Sequence, residues 1–214
     1  MMLQKWGGIT FFILAVTFVI APILYFVGPE QAIAPLVYNL ADFLYGPVWG
    51  ASLVTAVFAL RERLGERAPR RMTLALLAAS LAAGALVSAA LIRSANRHYH
   101  LMHPELNLEM SAPVLIVWTT IVAGVIATGQ HFLGWSLVLI GSAGWTTRLL
   151  PRVLSVLYLA AGATALFAYL RPVDDESVIV LGVVVSLWQG ILLWKADSGA
   201  TQAPEIRADQ PAQA

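Results

Sequence analysis

Residues 113–145 form an almost unbroken apolar stretch that holds one ionisable side chain, His131, and leads into a basic turn bounded by Arg148 and Arg152. A run this long cannot be a surface element of a water-soluble domain. A helix needs about 20 apolar residues to cross the hydrocarbon core of a bilayer, and this stretch exceeds that. Composition says the same of the whole chain. Of its 214 residues, 59% are hydrophobic and 12% charged, against about 25% charged in a typical soluble domain. A soluble fold of this size has too little interior to hide so much apolar surface. The fold class expected is therefore an all-α integral membrane bundle, with the lipid bilayer as its first partner.

Two further constraints come from composition. The net charge is +1, so no general attraction to nucleic acid is indicated. There are no cysteines, which removes disulfides, thiolate metal sites, iron–sulfur clusters and cysteine nucleophiles. The first apolar segment follows a short start containing Lys5. It is too long for a signal-peptide core and lacks a small-x-small cleavage site before Gly28, so it reads as a retained span.

Hydropathy places spans at about 6–27, 42–60, 72–92, 113–145, 153–170 and 177–194, within one domain covering 1–195. Residues 28–41 are too polar for the membrane centre and too apolar for a free loop, and fit a short interfacial or re-entrant helix. The third span carries small residues every fourth position, Ser80, Gly84 and Ser88 on one line and Ala75, Ala79 and Ala83 on another, a spacing that lets helix backbones approach. Residues 93–110 form the longest polar connection. Residues 196–214, rich in Ala, Gln and Pro, read as a disordered cytoplasmic tail.

The stretch 113–145 is long for one span and short for two. Charge decides between them. With one span, Lys5, Arg61, Arg63, Arg67, Arg70, Arg71, Arg148, Arg152, Lys195 and Arg207 share a side, ten of the thirteen basic residues. The positive-inside rule then gives six helices with both termini cytoplasmic, the named arginines acting as topology determinants. The surplus length implies tilt, protrusion beyond the outer face, or a break near Gly129.

Four residues are candidates for an intramembrane polar site. On a helix, Gly124, Thr128, His131, Trp135, Ser142 and Trp145 fall on one stripe, beside a small-residue stripe of Thr120, Ala127, Gly134 and Gly141. An ionisable residue in a span is a functional hypothesis by default; the competing and favoured reading of His131 is a neutral imidazole bonded to a neighbouring helix. Asp42 opens the second span. Stabilisation by the helix dipole is its favoured role, with pairing to Arg93 or Arg97 at the same membrane face, or lining an outward cavity, as the alternatives. Gln189 fits helix–helix hydrogen bonding. His98, His100 and His103 are weak metal candidates: imidazole suits Zn or Cu, but the spacing matches no sharp motif and a solvated loop is favoured. No catalytic triad, phosphate-binding glycine loop or HExxH motif occurs, and no cofactor is expected.

Residues 131–141 (HFLGWSLVLIG) and 148–162 (RLLPRVLSVLYLAAG) carry a resemblance. A helix with a histidine-glycine start and glycine-spaced body, an Arg-x-Leu/Leu-Pro-Arg turn and a helix ending near Ala-Gly resemble the bacterial membrane proteins of domain-of-unknown-function family 4386. Elsewhere the number and spacing of helices agree. The resemblance implies a polytopic protein of a bacterial inner (plasma) membrane, and brings no substrate, cofactor or catalytic residue. Three classes of function follow. The favoured one is a non-enzymatic protein acting through lipid, a membrane-protein partner or its own oligomer. The others are a small transporter or channel for a small or apolar solute, and a metal- or redox-linked membrane enzyme.

Overall fold

The computed structural model describes residues 2–26, 34–102, 112–168 and 176–200, and every element among them is helical. α1 spans Met2–Phe26, α2 Ala34–Phe43, α3 Trp49–Leu64, α4 Pro69–Met102, α5 Ala112–Thr147, α6 Arg152–Leu166 and α7 Glu176–Ala200. The fold is a helical bundle, as composition requires. Its helices pack as a closed ring in the order α1, α3, α4, α5, α6, α7, with α7 returning to α1. The interior is filled by Trp49 and Leu60 from α3, Met72 from α4, Ile140 from α5, Tyr158 from α6 and Leu193 from α7, all nearly or fully inaccessible.

Among the described residues, four helical runs are long and apolar enough to cross a membrane: Gln4–Tyr25, Ala34–Leu64, Pro69–Tyr99 and Ile116–Thr147. α6 and the Ile179–Lys195 part of α7 are apolar but shorter.

Several boundaries differ from those read off the sequence. The second run begins at Ala34, not Asp42. α2 continues into α3 through a π-helical turn at Leu44–Val48 that contains Pro47. Proline has no N–H to donate to the preceding turn, and widening the helix absorbs that defect without ending it. Residues 34–41 are thus helical and continuous with the span. α4 runs on to Met102, so the first part of the expected polar connection, including His98, is helical. α7 extends to Ala200, so the start of the expected disordered tail is helical too, while 201–214 lie outside the described residues.

α5 has no break at Gly129. It is one helix of 36 residues, about 54 Å long at 1.5 Å per residue, against a hydrocarbon core of about 30 Å. Gly129 is buried against Leu86 of α4. Ile116 and Val117, near the N-terminal end of α5, are exposed.

The small residues explain how α5 and α6 meet. A Cβ on Gly134 would lie 2.7 Å from the backbone nitrogen of Leu166 and 2.8 Å from the Gly162 carbonyl oxygen. A Cβ on Gly162 would lie 2.8 Å from the Val138 nitrogen. Backbone rests on backbone there, and a side chain would force the helices apart. The two stripes of α4 divide by environment. Ala75, Ala79 and Ala83 are buried, whereas Ser80, Gly84 and Ser88 face outward.

Candidate functional site

The most elaborate polar arrangement lies where α1, α2 and α4 meet. Asp42 is 1% exposed. Its Oδ1 accepts from the Tyr25 hydroxyl and from Arg93 Nε at 2.7 Å, and Arg93 Nη2 is also 2.7 Å away. Its Oδ2 accepts from Arg97 Nη2. Arg97 Nη2 also donates to the Tyr38 carbonyl at 3.2 Å, and its Nε to Asn39 Oδ1 at 3.0 Å. Ser94 Oγ reaches the same Asn39 oxygen at 3.2 Å.

Helical spacing assembles these groups. Tyr38 and Asn39 lie four and three residues before Asp42, hence on its face of α2. Arg93 and Arg97 lie one turn apart on α4. The rings of Tyr25 and Tyr38 stack, with centroids 6.0 Å apart. The Arg93 guanidinium lies 5.8 Å from the Tyr25 centroid, and that of Arg97 lies 6.0 Å from the Tyr38 centroid. Both distances suit cation–π attraction. A bare carboxylate could not be buried here, but one accepting from two guanidinium groups and a phenol can. Asp42 stands in the last turn of α2, inside a continuous helical run. The expectation of a first-turn carboxylate held by the helix dipole therefore gives way to pairing with both arginines.

His131 and Trp135 lie on the outward flank of α5. The indole Nε1–H of Trp135 donates to His131 Nε2 at 3.1 Å. Trp135 is 47% exposed and His131 is half-buried. The favoured interhelical bond for His131 is replaced by this contact within its own helix. The stripe from Gly124 to Trp145 points away from the interior, which removes His131 from any path between the helices.

Gln189 is inaccessible and sits between α7 and α6, where the Tyr158 hydroxyl approaches its Oε1 at 3.4 Å. Among the described residues, the Nε2 of Gln189 and the Nε1 of Trp49 are buried without a partner. Between the helices lies a cavity of about 40 Å³ lined mainly by apolar side chains, among them Phe11, Phe18, Leu133 and Ile140, with Trp49 and Tyr158 on its wall. That volume is on the scale of one or two ordered waters. Ser136 Oγ donates to the Ala75 carbonyl at 2.9 Å and ties α5 to α4.

His98 is exposed on the last turns of α4, His103 lies outside the described residues, and so does the side chain of His100. Among the described residues no group of three or more His, Asp or Glu could hold a metal ion.

The basic end of the bundle is also organised. Arg71 Nη1 donates to the Ser142 carbonyl at 3.2 Å and to Thr146 Oγ1 at 2.7 Å, and Arg67 Nη1 reaches the Thr147 carbonyl at 3.5 Å. Two cations, Arg67 from the turn before α4 and Arg71 from its first turn, thus sit on the C-terminal turn of α5, where unpaired carbonyls and the helix dipole favour positive charge. Arg61 and Arg70 are exposed at the same end, as are Arg148 and Arg152, while Arg63 is partly covered.

Sequence reasoning set Asp42 near Tyr38 and Asn39 but did not join Tyr25 and Ser94 to it. The legible trace was the pairing of Asp42 with Arg93 or Arg97 at the same membrane face, weighed as the alternative. Comparison with protein-family profiles, curated proteins and solved structures finds no match.

Proposed function

We propose that the chain is a multi-pass protein of a bacterial plasma membrane, with six helices crossing it and both termini cytoplasmic, that acts non-enzymatically through lipid or membrane-protein partners. The observation that carries this reading is the wiring of Asp42. Both of its oxygens are engaged, by donors from α1 and α4. A carboxylate held in this way joins three helical segments and is poorly placed to pass a proton or release an ion. The orientation rests on charge. Lys5 and the arginines from Arg61 to Arg71, with Arg148 and Arg152, lie at one end of the helices, and Arg93 and Arg97 at the other. The resemblance to family 4386 supports the same membrane.

Purification from native membranes in a mild detergent tests the reading directly. A stoichiometric lipid or protein companion is expected. Solute flux, or chemical turnover, in vesicles holding the purified protein alone would overturn it. A reporter fused after Lys195 is expected on the cytoplasmic side.

The cavity between the helices favours a second reading, a conduit for a very small apolar solute. At about 40 Å³ it would have to widen for passage. Flux in the same vesicles decides for that reading.

A further inference from the structure

Among the described residues, the Asp42 cluster is not electrically balanced. Arg93 and Arg97 bring two positive charges, and among the described residues Asp42 is the carboxylate that meets them. Counted over the described residues, the group therefore carries a net charge of +1. Each arginine side chain is 23% exposed, so this charge is only partly hydrated. A partly desolvated excess charge is costly unless an anion completes it.

The donors left over are suitably placed. Arg93 uses Nε and Nη2 on Asp42. Arg97 uses Nε on Asn39 and Nη2 on Tyr38 and Asp42. The Nη1 group of each arginine makes no hydrogen bond to a described residue, and the two residues lie one turn apart on the same face of α4. The Tyr25 and Tyr38 rings, together with Asn39, hold both guanidinium groups in position, so little side-chain freedom is lost when a ligand binds.

Resting on the reading that this protein works through lipid or partner contacts, we propose that Arg93 and Arg97 form a binding site for a phosphate group, held by their Nη1 ends. Height in the membrane supports phosphate. Tyr25 ends the apolar run Gln4–Tyr25, and Arg93 and Arg97 lie in the last two turns of Pro69–Tyr99, within reach of the level at which lipid headgroups are expected, while Asp42 lies eight residues inside the run Ala34–Leu64. Guanidinium pairs suit the several acceptor oxygens of phosphate, and Asp42 limits the excess charge to one, matching a phosphodiester. The phosphate belongs either to a phospholipid headgroup or to free inorganic phosphate.

The full chain in detergent, titrated with phosphatidylglycerol, with diacylglycerol and with inorganic phosphate under native mass spectrometry, separates the sources. Phosphatidylglycerol is expected to bind and diacylglycerol, which lacks the phosphate, is not. Binding of inorganic phosphate alone would assign the site to the soluble ion. Arg97→Gln leaves Arg93 on Asp42 as a neutral pair, and is expected to weaken the phosphate-bearing ligand by about tenfold or more. Unchanged binding in Arg97→Gln, or equal binding of diacylglycerol, overturns the site.

A measurement on the wild-type chain does not depend on that variant folding. Modification of Arg93 and Arg97 by a guanidinium-directed dicarbonyl, followed peptide by peptide, is expected to slow when the phosphate ligand is added and not when diacylglycerol is added. Rates unaffected by either ligand overturn the site. Loss of the site leaves the non-enzymatic reading standing, and that reading falls only to flux or turnover in vesicles.

Discussion

Trp135 holds His131 from one turn away on α5, its indole nitrogen 3.1 Å from the imidazole Nε2. An indole N–H can only donate, so Nε2 must present its lone pair and the imidazole proton resides on Nδ1. The pair lies on the outward flank of the bundle, where a stray donor or acceptor finds no water. Nitrogen-15 spectra of histidine-labelled protein are expected to show the Nδ1–H tautomer for His131, with the other tautomer appearing in Trp135→Phe. An Nε2–H tautomer in the wild type would refute the assignment. The bond is worth about 0.5–1 kcal/mol, so Trp135→Phe lowers stability only slightly.

The Asp42 cluster is expected to dominate stability at its end of the bundle. Asp42→Ala leaves two guanidinium groups facing each other across an emptied site. Breaking a buried ion pair by removing one partner costs about 3–5 kcal/mol, and the partial exposure of the arginines places this case toward the lower figure. Tyr25→Phe removes one donor and keeps the ring under Arg93, so its cost is about 1 kcal/mol. Denaturant titration in detergent measures both. Equal effects of the two substitutions would show that the carboxylate is not the hub.

Backbone contact between α5 and α6 makes Gly134 and Gly162 intolerant of side chains. Gly134→Leu and Gly162→Val are expected to cost at least about 1–3 kcal/mol, because the atoms in the way are backbone and cannot rotate aside. Gly84 and Gly124 are the controls, as a Cβ there has nothing within 4 Å. Replacing either by Ala leaves stability unchanged or raises it slightly, since alanine favours a helix. Melting temperatures of the four variants in one detergent check the contrast. A loss at Gly84 equal to that at Gly134 would point to an outer contact on α4.

What was legible in the sequence followed from periodic, additive properties. Hydropathy located the long helices, and seven-residue spacing picked out Gly134 and Gly141, which do lie against α6. Helix ends were less legible, because the polar residues of 28–41 hid the helix that runs into α3 through the π-helical turn at Pro47, and because Arg93 and Arg97 looked like loop residues. The cluster was half legible. Asp42 and the two arginines stood out as charges, but their partners Tyr25 and Asn39 depend on how α1 and α2 cross α4. Helical spacing also gave the His131 stripe without saying which way it faces. That direction follows from α6 covering the other flank of α5, a tertiary fact with no local trace.

Arg148 closes α5 in a left-handed conformation, φ 58°, with its N–H donating to the Gly144 carbonyl at 3.0 Å. This is the helix-ending position at which glycine is usual, because a Cβ is crowded there. The chain then extends through Leu150 to Pro151, which caps α6 with ψ 138°, and α6 starts at Arg152. Arg148 is exposed, so its side chain contributes little packing. Arg148→Gly is therefore expected to raise stability by about 0.5–1 kcal/mol, and Arg148→Val to lower it by a similar amount or more, since a β-branched residue is least able to adopt that backbone. Thermal melts in detergent give the sign. Membrane orientation should survive Arg148→Gly, because Arg61, Arg63, Arg67, Arg70, Arg71 and Arg152 remain at the same end. An accessibility assay on a cysteine introduced in the 201–214 segment reads that orientation independently of stability. A glycine variant that melts lower than the wild type would show that the arginine makes a stabilising contact at this turn which outweighs the backbone strain.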